Sequence, residues 1–473
     1  MNKHKDKCVV VLKKQSRRLK QAALAISLSA LASCASLSLP QQVTPSLGAD
    51  IPASWLLDLP SDGAAISAWS TLYQDPILLE YLREASAQNF DIRTAQTRVA
   101  GAEAELRRSA ARLKPRFDAS ASASGSALLG DIDDPFDSYG LGLSGRWDPD
   151  IFGQTRTIID GSRAILRAQE ALLADTRQAV LAATGRAYVR AVEAMLQVDL
   201  AKTNLDFLTE SRRISEARYR LGDTAKGDFS FAEANYQSAL ASYESTVQAG
   251  RTARRALSLL LGGYPEEDLR LAETLESPRQ LPGRIVPAQI LESRPDIVAA
   301  RAQLAGRAAS LQGAKLARWP SLDISGGLTA GSRISDLFDP ADYIARLGAS
   351  LSQVIFDGGA ITAGVDSAQA SLDEALLSYE QRLRRAMGEI SDAYDRAETL
   401  QRTLVNLEAA SEAANEALRL ESIQFDLGES SLLDVLQVQT RVNNIDASLI
   451  RTKAALLETH ITATESIGGF AGN

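Results

Sequence analysis

The chain contains two long stretches without proline, residues 154–221 and 360–427, in which apolar residues recur at helical spacing. Each stretch has 68 residues, and a helix of that length spans roughly 100 Å. A compact globular domain does not accommodate such a helix, so the two stretches are predicted to be rods packed in a coiled-coil array. Shorter helices are predicted before and after each rod, over 76–114, 229–261, 295–318 and 432–467.

The two rods belong to an internal duplication with a period near 205 residues. Pro115, in Leu-Lys-Pro-Arg-Phe-Asp, is matched 205 residues later by Pro320, in Arg-Trp-Pro-Ser-Leu-Asp. Gly222, in Leu-Gly-Asp, is matched 206 residues later by Gly428, in Leu-Gly-Glu. Landmarks in the same order at a nearly constant offset predict that each half is one structural unit.

A second pattern, the alternation of apolar and polar residues, follows Pro115 and Pro320. It is typical of strands with one apolar and one polar face, and it predicts hairpins over 116–147 and 321–353. The pattern fits a soluble antiparallel sheet as well as membrane strands of about ten residues. If the strands span a membrane, several subunits must share one barrel, because closure needs at least about eight strands. The hairpin connections are predicted to be exposed acidic loops, with Asp131, Asp133, Asp134 and Asp137 in the first and Asp336, Asp339 and Asp342 in the second.

The amino terminus has the pattern of an export signal. Basic residues crowd positions 3–20, and the apolar run at 22–31 is too short to cross a bilayer as a helix. The run ends in Leu31-Ala32-Ser33-Cys34, which resembles the lipobox of bacterial lipoproteins. We therefore predict a signal peptide over 1–33 and a covalent lipid on Cys34, the alternative being an ordinary cleaved signal with a chance cysteine. The residue after Cys34 is not Asp, which favours export to the outer membrane.

The rare residue types exclude most kinds of catalytic site. After removal of residues 1–33, the chain keeps one cysteine, Cys34, and one histidine, His460. These two residues cannot supply a disulfide framework, a zinc site or a cysteine–histidine catalytic pair within one subunit. The chain is therefore predicted to be no enzyme and to carry no cofactor besides the lipid on Cys34. The mature chain has 43 basic and 58 acidic residues, a net charge of −15, which argues against nucleic acid as a partner.

Four further segments carry a family resemblance: Trp69 to Pro76, Trp147 to Gly153, Leu291 to Ile297 and Leu432 to Leu436. Together with the lipobox-like motif and the duplication, they make the chain similar to TolC-type outer-membrane efflux channels. The resemblance is greatest to the lipid-anchored, NodT-like subclass that partners resistance-nodulation-division pumps.

The resemblance implies a mixed fold, a membrane β-barrel above a long α-helical coiled-coil tunnel. Two tandem repeats would give four strands per chain, and three chains would form one twelve-stranded barrel. The implied segments are a lipid-anchored stretch at 34–75, a first repeat at 76–262, an equatorial linker at 263–290, a second repeat at 291–467 and a tail at 468–473.

The function implied by the resemblance is that of an outer-membrane exit duct in a tripartite efflux system. The duct would passively conduct drugs or other small solutes delivered by an inner-membrane pump through a periplasmic adaptor. Its partners would be two further copies of the chain, the adaptor, the pump and outer-membrane lipid. The alternatives are a type I protein-secretion channel, a heavy-metal efflux channel and, from another class, a coiled-coil envelope scaffold lipoprotein.

The two Leu-Gly-acid motifs are predicted to dock the adaptor. They end the long helices roughly 100 Å from the hairpins, where an adaptor could reach them. Glycine there tolerates the positive φ of a helix C-terminal turn and leaves room for a partner. The alternative is a helix cap alone. The residues concerned are Leu221, Gly222, Asp223, Leu427, Gly428 and Glu429.

The resemblance also implies a gate just beyond these motifs, where acidic residues of the family project into the lumen. Asp228 and Asp434 each lie six residues after the glycine of their half. Gln437 and Phe425 stand where relatives carry a second acid and a hydrogen-bonding tyrosine. We therefore expect a gate held by apolar packing of Leu433 and Phe425 and by hydrogen bonds of Gln437, more than by salt bridges. The alternative is that Asp434 only caps the start of its helix.

Overall fold

The structure is a computed structural model that describes residues 75–128, 131–276, 294–330 and 343–467, with the backbone alone over 126–128 and 131–137. Both predicted rods are confirmed, as helices of 67 and 68 residues. None of the helices in the described ranges is long and apolar enough to cross a membrane. In chain order the elements are α1 (Pro76–Gln88), α2 (Phe90–Ala111), β1 (Arg116–Leu128), β2 (Asp131–Trp147), α3 (Gln154–Arg220), α4 (Lys226–Leu260), α5 (Pro295–Leu316), β3 (Ser321–Ala330), β4 (Ile344–Ser352), α6 (Ala360–Leu427) and α7 (Leu432–Ser466).

The duplication is visible in the helix lengths. Helices α2 and α5 have 22 residues each, and the helices that return from the rods, α4 and α7, have 35 each. Within each half the rod packs along its return helix, α3 on α4 and α6 on α7. The predicted tandem repeat is confirmed, and the two halves also pack on each other, because α5 of the second half packs on α3 of the first.

The predicted single helix over 76–114 is wrong, because Asn89 divides it. The Asn89 backbone is extended, with φ −60° and ψ 135°, and its side-chain oxygen accepts the backbone N–H of Asp91 at 2.8 Å as the cap of α2. Its amide nitrogen donates to the carbonyl of Leu260 at 2.8 Å. A cap and a tertiary hydrogen bond at one buried residue outweigh continuation of the helix.

The four strands form one antiparallel sheet in the order β1-β2-β3-β4. The two halves meet at the β2–β3 pair, where Trp147 lies opposite Ile324. Both predicted hairpins are confirmed. Strands β1 and β4 lie at the edges and have no second partner strand within the described part of the chain.

The acidic loop predicted for the first hairpin is wrong. Residues 131–137 belong to β2, and Asp137 is paired with Gly125 of β1. Strand ladders are made by backbone groups, which aspartates retain, so the acidic composition did not end the strand. The second acidic connection, with Asp336, Asp339 and Asp342, lies outside the described residues.

An aspartate holds each corner where a strand passes into a rod. The carboxylate of Asp150 accepts the N–H groups of Thr155 at 2.8 Å and Arg156 at 2.9 Å, at the start of α3. The carboxylate of Asp357 accepts the N–H of Ile361 at 2.7 Å, at the start of α6. Acidic groups that bond the first N–H groups of a helix also complement its dipole. The segment from Trp147 to Gly153 therefore directs the chain from the sheet into the rod.

The main core lies where α1, α2, α3, α4 and α7 meet, around buried Leu78, Ile92, Val192, Leu257 and Ile461. Residues 263–276, without regular secondary structure, pack against this core through leucines. The hydroxyl of Tyr188 bonds the Asp75 carboxylate and accepts the N–H of Ala272 at 3.2 Å. Burial, the Asp75 bond and the Asp75 charge raise the pKa of Tyr188, so the phenol stays neutral as a connector.

Candidate functional site at the helix tips

The rods end in the same turn in both halves. Gly222 has φ 81° and Gly428 has φ 79°. The N–H of Asp223 donates to the carbonyl of Arg218 at 2.9 Å, and that of Glu429 donates to the carbonyl of Gln424 at 2.8 Å. The glycine N–H groups donate to the carbonyls of Tyr219 and Phe425, both at 3.0 Å, which completes the Schellman arrangement that satisfies the last carbonyls of a helix. The positive φ predicted for both glycines is confirmed.

The tips expose apolar surface. Leu221 is 83% exposed and Leu427 is 69% exposed. A Cβ added at Gly222 or Gly428 would meet no atom within 4 Å. Each tip therefore presents an exposed leucine next to a glycine with no side chain. A partner can approach the backbone of this glycine closely.

The return helices begin with an acid at the same position but with different caps. Asp228 is the third residue of α4, after Ala225 at the cap, and Asp434 is the third residue of α7, after Ser431. The Ser431 hydroxyl donates to the Asp434 carboxylate at 2.6 Å, and the Asp434 N–H donates back to that hydroxyl at 3.3 Å. Ala225 has no side-chain oxygen to accept the first N–H groups of α4, and no side-chain hydrogen bond caps this helix within the described residues.

The capping box affects the charge of Asp434. Hydrogen bonds from the Ser431 hydroxyl and backbone hold the pKa of the Asp434 carboxyl below its ordinary value. Asp434 thus caps the start of its helix, as the alternative predicts. Its carboxylate is nevertheless charged and exposed, so a role of Asp434 in a ring of acids stays a prediction.

The tips of the two rods touch through Arg218 and Phe425. The Arg218 guanidinium carbon lies 4.8 Å from the centre of the Phe425 ring, a cation–π contact. On the first tip, Tyr219 stacks on Phe229 with ring centres 5.8 Å apart. Sequence reasoning singled out Phe425 but missed Arg218, because nothing local in the sequence pairs them.

The side chains of the other two predicted gate residues are exposed to solvent in a single chain. Leu433 is 46% exposed and Gln437 is exposed, whereas the next two residues after Asp434, Val435 and Leu436, are buried. Packing of Leu433 and hydrogen bonding of Gln437 therefore stay predictions for an assembled channel.

Two hydroxyl groups at the tips are buried without a hydrogen bond in the described part of the chain. They belong to Thr224 and Ser430, each two residues after the glycine of its half. An unsatisfied buried hydroxyl costs about 1–3 kcal/mol. The two halves therefore carry this cost at the same position of their turns.

A buried cluster of charged residues lies where the second half begins. The Arg294 guanidinium donates to both carboxylate oxygens of Asp296, at 3.0 and 2.9 Å, to Glu389 at 3.0 Å and to the carbonyl of Ser466 at 2.7 Å. Burial, and next the charge of Asp296, raise the pKa of the nearby Asp175 carboxyl to about 6. Arg294 and Asp296 thus anchor the start of α5 to α6 and α7.

Comparison with known proteins shows the family of the chain. The model of the outer membrane efflux protein family matches residues 81–263 and 286–469, which cover both halves of the duplication. The chain belongs to the outer membrane efflux protein family. It is therefore an outer-membrane transport duct and not an enzyme, and the coiled-coil scaffold alternative is excluded.

Individual relatives of this efflux protein extend over nearly the whole chain. The pyoverdine export outer membrane protein OpmQ of Pseudomonas aeruginosa is 27% identical, with 89% of this chain and 92% of OpmQ aligned. Nodulation protein T of Rhizobium leguminosarum bv. trifolii is 28% identical, with coverage of 82% and 84%. The open-state crystal structure of the MtrE outer membrane channel of Neisseria gonorrhoeae superposes with a TM-score of 0.82 at 24% identity, covering 92% of this chain and 98% of MtrE.

The predicted fold and the NodT-like family are thus confirmed for this efflux protein. Its structure brings Phe425 to the opposite tip and places Asp228 and Asp434 at matching helix starts. Cys34 lies outside the described residues. Within those residues, no group of three or more His, Cys, Asp or Glu side chains is arranged to hold a metal ion.

Proposed function

We propose that this efflux protein is the outer-membrane exit duct of a tripartite system, passively conducting drugs or other small solutes that an inner-membrane pump delivers through a periplasmic adaptor. The observation that carries the proposal is the family match over both repeats, each of which joins a hairpin to a rod of 67 or 68 residues. The name of OpmQ, a pyoverdine export protein, favours solute export over type I protein secretion.

The sheet supports a trimer as the working form. Strands β1 and β4 leave unpaired backbone groups on both edges, and lipid does not tolerate such edges. Joining β4 of one subunit to β1 of the next closes the sheet, and three copies of four strands exceed the minimum of about eight strands for a membrane barrel.

The tips support adaptor docking. Exposed Leu221 and Leu427 flank open glycines. A helical hairpin of an adaptor would cover these leucines and could approach the glycine backbone closely. The pump is then reached through the adaptor.

Lipid anchoring rests on Leu31-Ala32-Ser33-Cys34. Acyl chains on Cys34 would supplement the barrel as an anchor in the outer membrane. Mass spectrometry of the mature protein tests this: an acylated amino-terminal Cys34 supports the proposal, and an unmodified amino terminus at another residue overturns it. The Cys34→Ser variant should lose the lipid and still form trimers, because the strands carry their own apolar face.

The assembly is tested by purification from the outer-membrane fraction in mild detergent. Native mass spectrometry should give three chains, and crosslinking in cells should join the tips to a periplasmic protein with a helical hairpin. A monomeric protein, or one recovered from the inner membrane, would contradict the proposal.

A further inference from the structure

The charged side chains described for the sheet all lie on one of its faces. Successive residues of a strand point to opposite faces. One face carries apolar side chains that are exposed in a single chain, among them Phe117, Leu143, Leu328 and Leu347. The other face carries Arg116, Asp118, Arg146, Asp323 and Arg346. In a membrane barrel the apolar face contacts lipid and the polar face lines the lumen, so these five charges belong to the lumen.

The five charges form a band at the end of the sheet that is next to the rods. Arg116 lies opposite Arg146. Asp118 and Arg346 lie in the next row of the ladder, and Asp323 lies in the row before. Toward the hairpin ends, the same face of the described strands carries only serine, glycine, threonine and isoleucine. The band is therefore the charged level of the lumen within the described strands.

The band has one positive charge more than its acids compensate. The Arg116 guanidinium donates twice to the Asp118 carboxylate, at 3.0 and 2.7 Å. The Arg146 guanidinium lies 3.6 Å from the Asp323 carboxylate. Arg346 instead donates to a neutral group, the Thr329 hydroxyl, at 3.3 Å, and it forms no ion pair with a described residue. Each chain thus leaves the Arg346 charge uncompensated on the lumen face.

The adjoining strand of a trimer does not supply an acid for Arg346. By the offset between the two hairpins, Arg346 corresponds to Gly142, and Thr329, the partner of Gly142, corresponds to Ser124. Where β4 adjoins β1 of the next subunit, Arg346 therefore lies opposite the partner subunit's Ser124. Six residues separate this serine from the partner subunit's Asp118, and they span roughly 20 Å of strand. An ion pair does not reach across that distance.

Three copies of Arg346 would converge on the axis of the barrel. Twelve strands spaced about 4.8 Å apart and tilted by about 40° enclose a barrel roughly 24 Å across. An extended arginine reaches roughly 6 Å from its Cα, so the three guanidinium groups would lie roughly 10 Å from one another. This separation is close to the Debye length of about 8 Å at physiological ionic strength. Their potentials therefore overlap at the centre of the lumen.

We propose that the Arg346 side chains of the three subunits form an anion-binding ring in the lumen, an inference that rests on the proposed trimer. The ligand class is an oxyanion, namely a carboxylate, sulfate or phosphate group of a solute in transit. Each guanidinium has five N–H donors in a planar fork that matches such groups, and Thr329 accepts one of them. The remaining donors face a lumen in which the described strands place no uncompensated acid at this level.

The ring has the opposite sign to the acids at the helix tips. Asp228 and Asp434 lie where the return helices begin, at the far end of the rods from the sheet. An anionic group would be repelled at the tips and attracted at the ring. An anion should therefore reach the ring more readily from the barrel side of the channel than from the tip side.

Block of the single-channel current by inorganic pyrophosphate tests the ring. The probe is added on the barrel side of purified trimers in a planar bilayer, at physiological ionic strength. Arg346→Gln removes three charges roughly 6 Å from the axis and should raise the half-blocking concentration by about tenfold or more. Arg346→Lys keeps the charge and should retain most of the block. Asp118→Asn removes an acid of the band and should shift the half-blocking concentration in the opposite direction, to a lower value.

Arg213→Gln is the matched control, because Arg213 is an exposed arginine that pairs with Glu210 on its own helix. It lies roughly 90 Å from the sheet along α3, so its loss should leave the block unchanged. Native mass spectrometry checks that each variant is a trimer. Conducting wild-type trimers that pyrophosphate does not block, or blocks equally after Arg346→Gln, would overturn the ring and leave the proposed function standing. Absence of trimers or of conductance in the wild type would instead overturn the proposed function.

Discussion

The guanidinium of Arg218 lies over the ring of Phe425, 4.8 Å from its centre, and so joins the tip of the first rod to the tip of the second. Each residue lies in the last turn of its long helix. A cation–π contact at such a partly exposed site contributes about 0.5–1 kcal/mol. In a trimer it would occur three times around the entrance.

Loss of this contact is expected to open the entrance. Arg218→Ala should raise the open probability of single channels, because it removes the attraction between the two tips. Arg220→Ala is the matched control, since Arg220 pairs with Glu216 on its own helix. An open probability that is unchanged by Arg218→Ala, or raised equally by Arg220→Ala, would show that the contact does not hold the tips.

The roles of Asp434 as a charge and as a cap can be separated. Ser431→Ala removes the hydroxyl of the capping box and keeps the carboxylate, so it should lower thermal stability and leave cation preference unchanged at neutral pH. Asp434→Asn removes the charge and should reduce cation preference, as should Asp228→Asn at the matching position. Reversal potentials in a salt gradient measure the preference. Equal preference in wild type and both Asn variants would remove these acids from the gate.

The pH dependence of that preference has a definite sign. Because hydrogen bonds from Ser431 hold the pKa of Asp434 below its ordinary value, its carboxylate keeps its charge as the pH falls through the usual range of aspartate titration. Cation preference at about pH 4, near the ordinary pKa of aspartate, should therefore be lower in Ser431→Ala than in the wild type. Identical titrations of the two proteins would contradict the effect of the capping box.

Substitution of the tip glycines separates helix-end strain from docking. Gly428→Ala places a side chain at φ 79° and should cost about 1 kcal/mol of stability with efflux retained. Gly428→Trp adds bulk where a Cβ meets nothing in the chain, and it should abolish efflux while trimers persist. Drug susceptibility of a complemented deletion strain measures efflux. Wild-type efflux with Gly428→Trp and Gly222→Trp combined would rule out docking at the tips.

Asp175 should make stability depend on pH. Burial raises the pKa of the folded carboxyl to about 6, above the unfolded value of about 3.9. Burial of the charged carboxylate costs free energy of folding. This cost is absent below about pH 4, where Asp175 is protonated in both the folded and the unfolded protein, and it is fully present above about pH 6. Asp175→Asn should therefore stabilise the protein by about 1–2 kcal/mol at about pH 7, after allowance for solvent screening, and leave it unchanged at low pH.

Thermal unfolding of the wild type and Asp175→Asn at the two pH values measures this difference. Asp160→Asn, at an exposed residue paired with Arg163 on the same helix, controls for the loss of a carboxylate. A stabilisation that persists at the lower pH, or that also appears in Asp160→Asn, would contradict a buried carboxyl as the cause.

The rods, the hairpins and the duplication could be predicted from the sequence because they depend on local patterns. Helical periodicity and strand alternation are set by residues close together in the chain, and the absence of proline lets the helical pattern continue. Both halves repeat these patterns. The break at Asn89 could not be predicted, because it depends on a hydrogen bond to Leu260, far along the chain. The acidic composition of residues 131–137 predicted a loop in the wrong place. Aspartate has the backbone N–H and C=O groups that a strand needs, so these residues can pair.

The candidate site was predicted in part for the same reason. The glycine turns and the acids at the helix starts follow from local capping rules. Arg218 and the Arg294 cluster were missed because their partners, Phe425 and Glu389, come from distant elements that meet only in the folded chain.

The conductance of the purified protein in a planar lipid bilayer tests most directly whether the chain is an outer-membrane duct. A wide channel through a trimer predicts discrete conductance steps that appear with the heat-resistant trimer and are absent from heat-dissociated monomers. A folded trimer that inserts into the bilayer and conducts no ions, under conditions in which Arg218→Ala also conducts none, would contradict the proposed function.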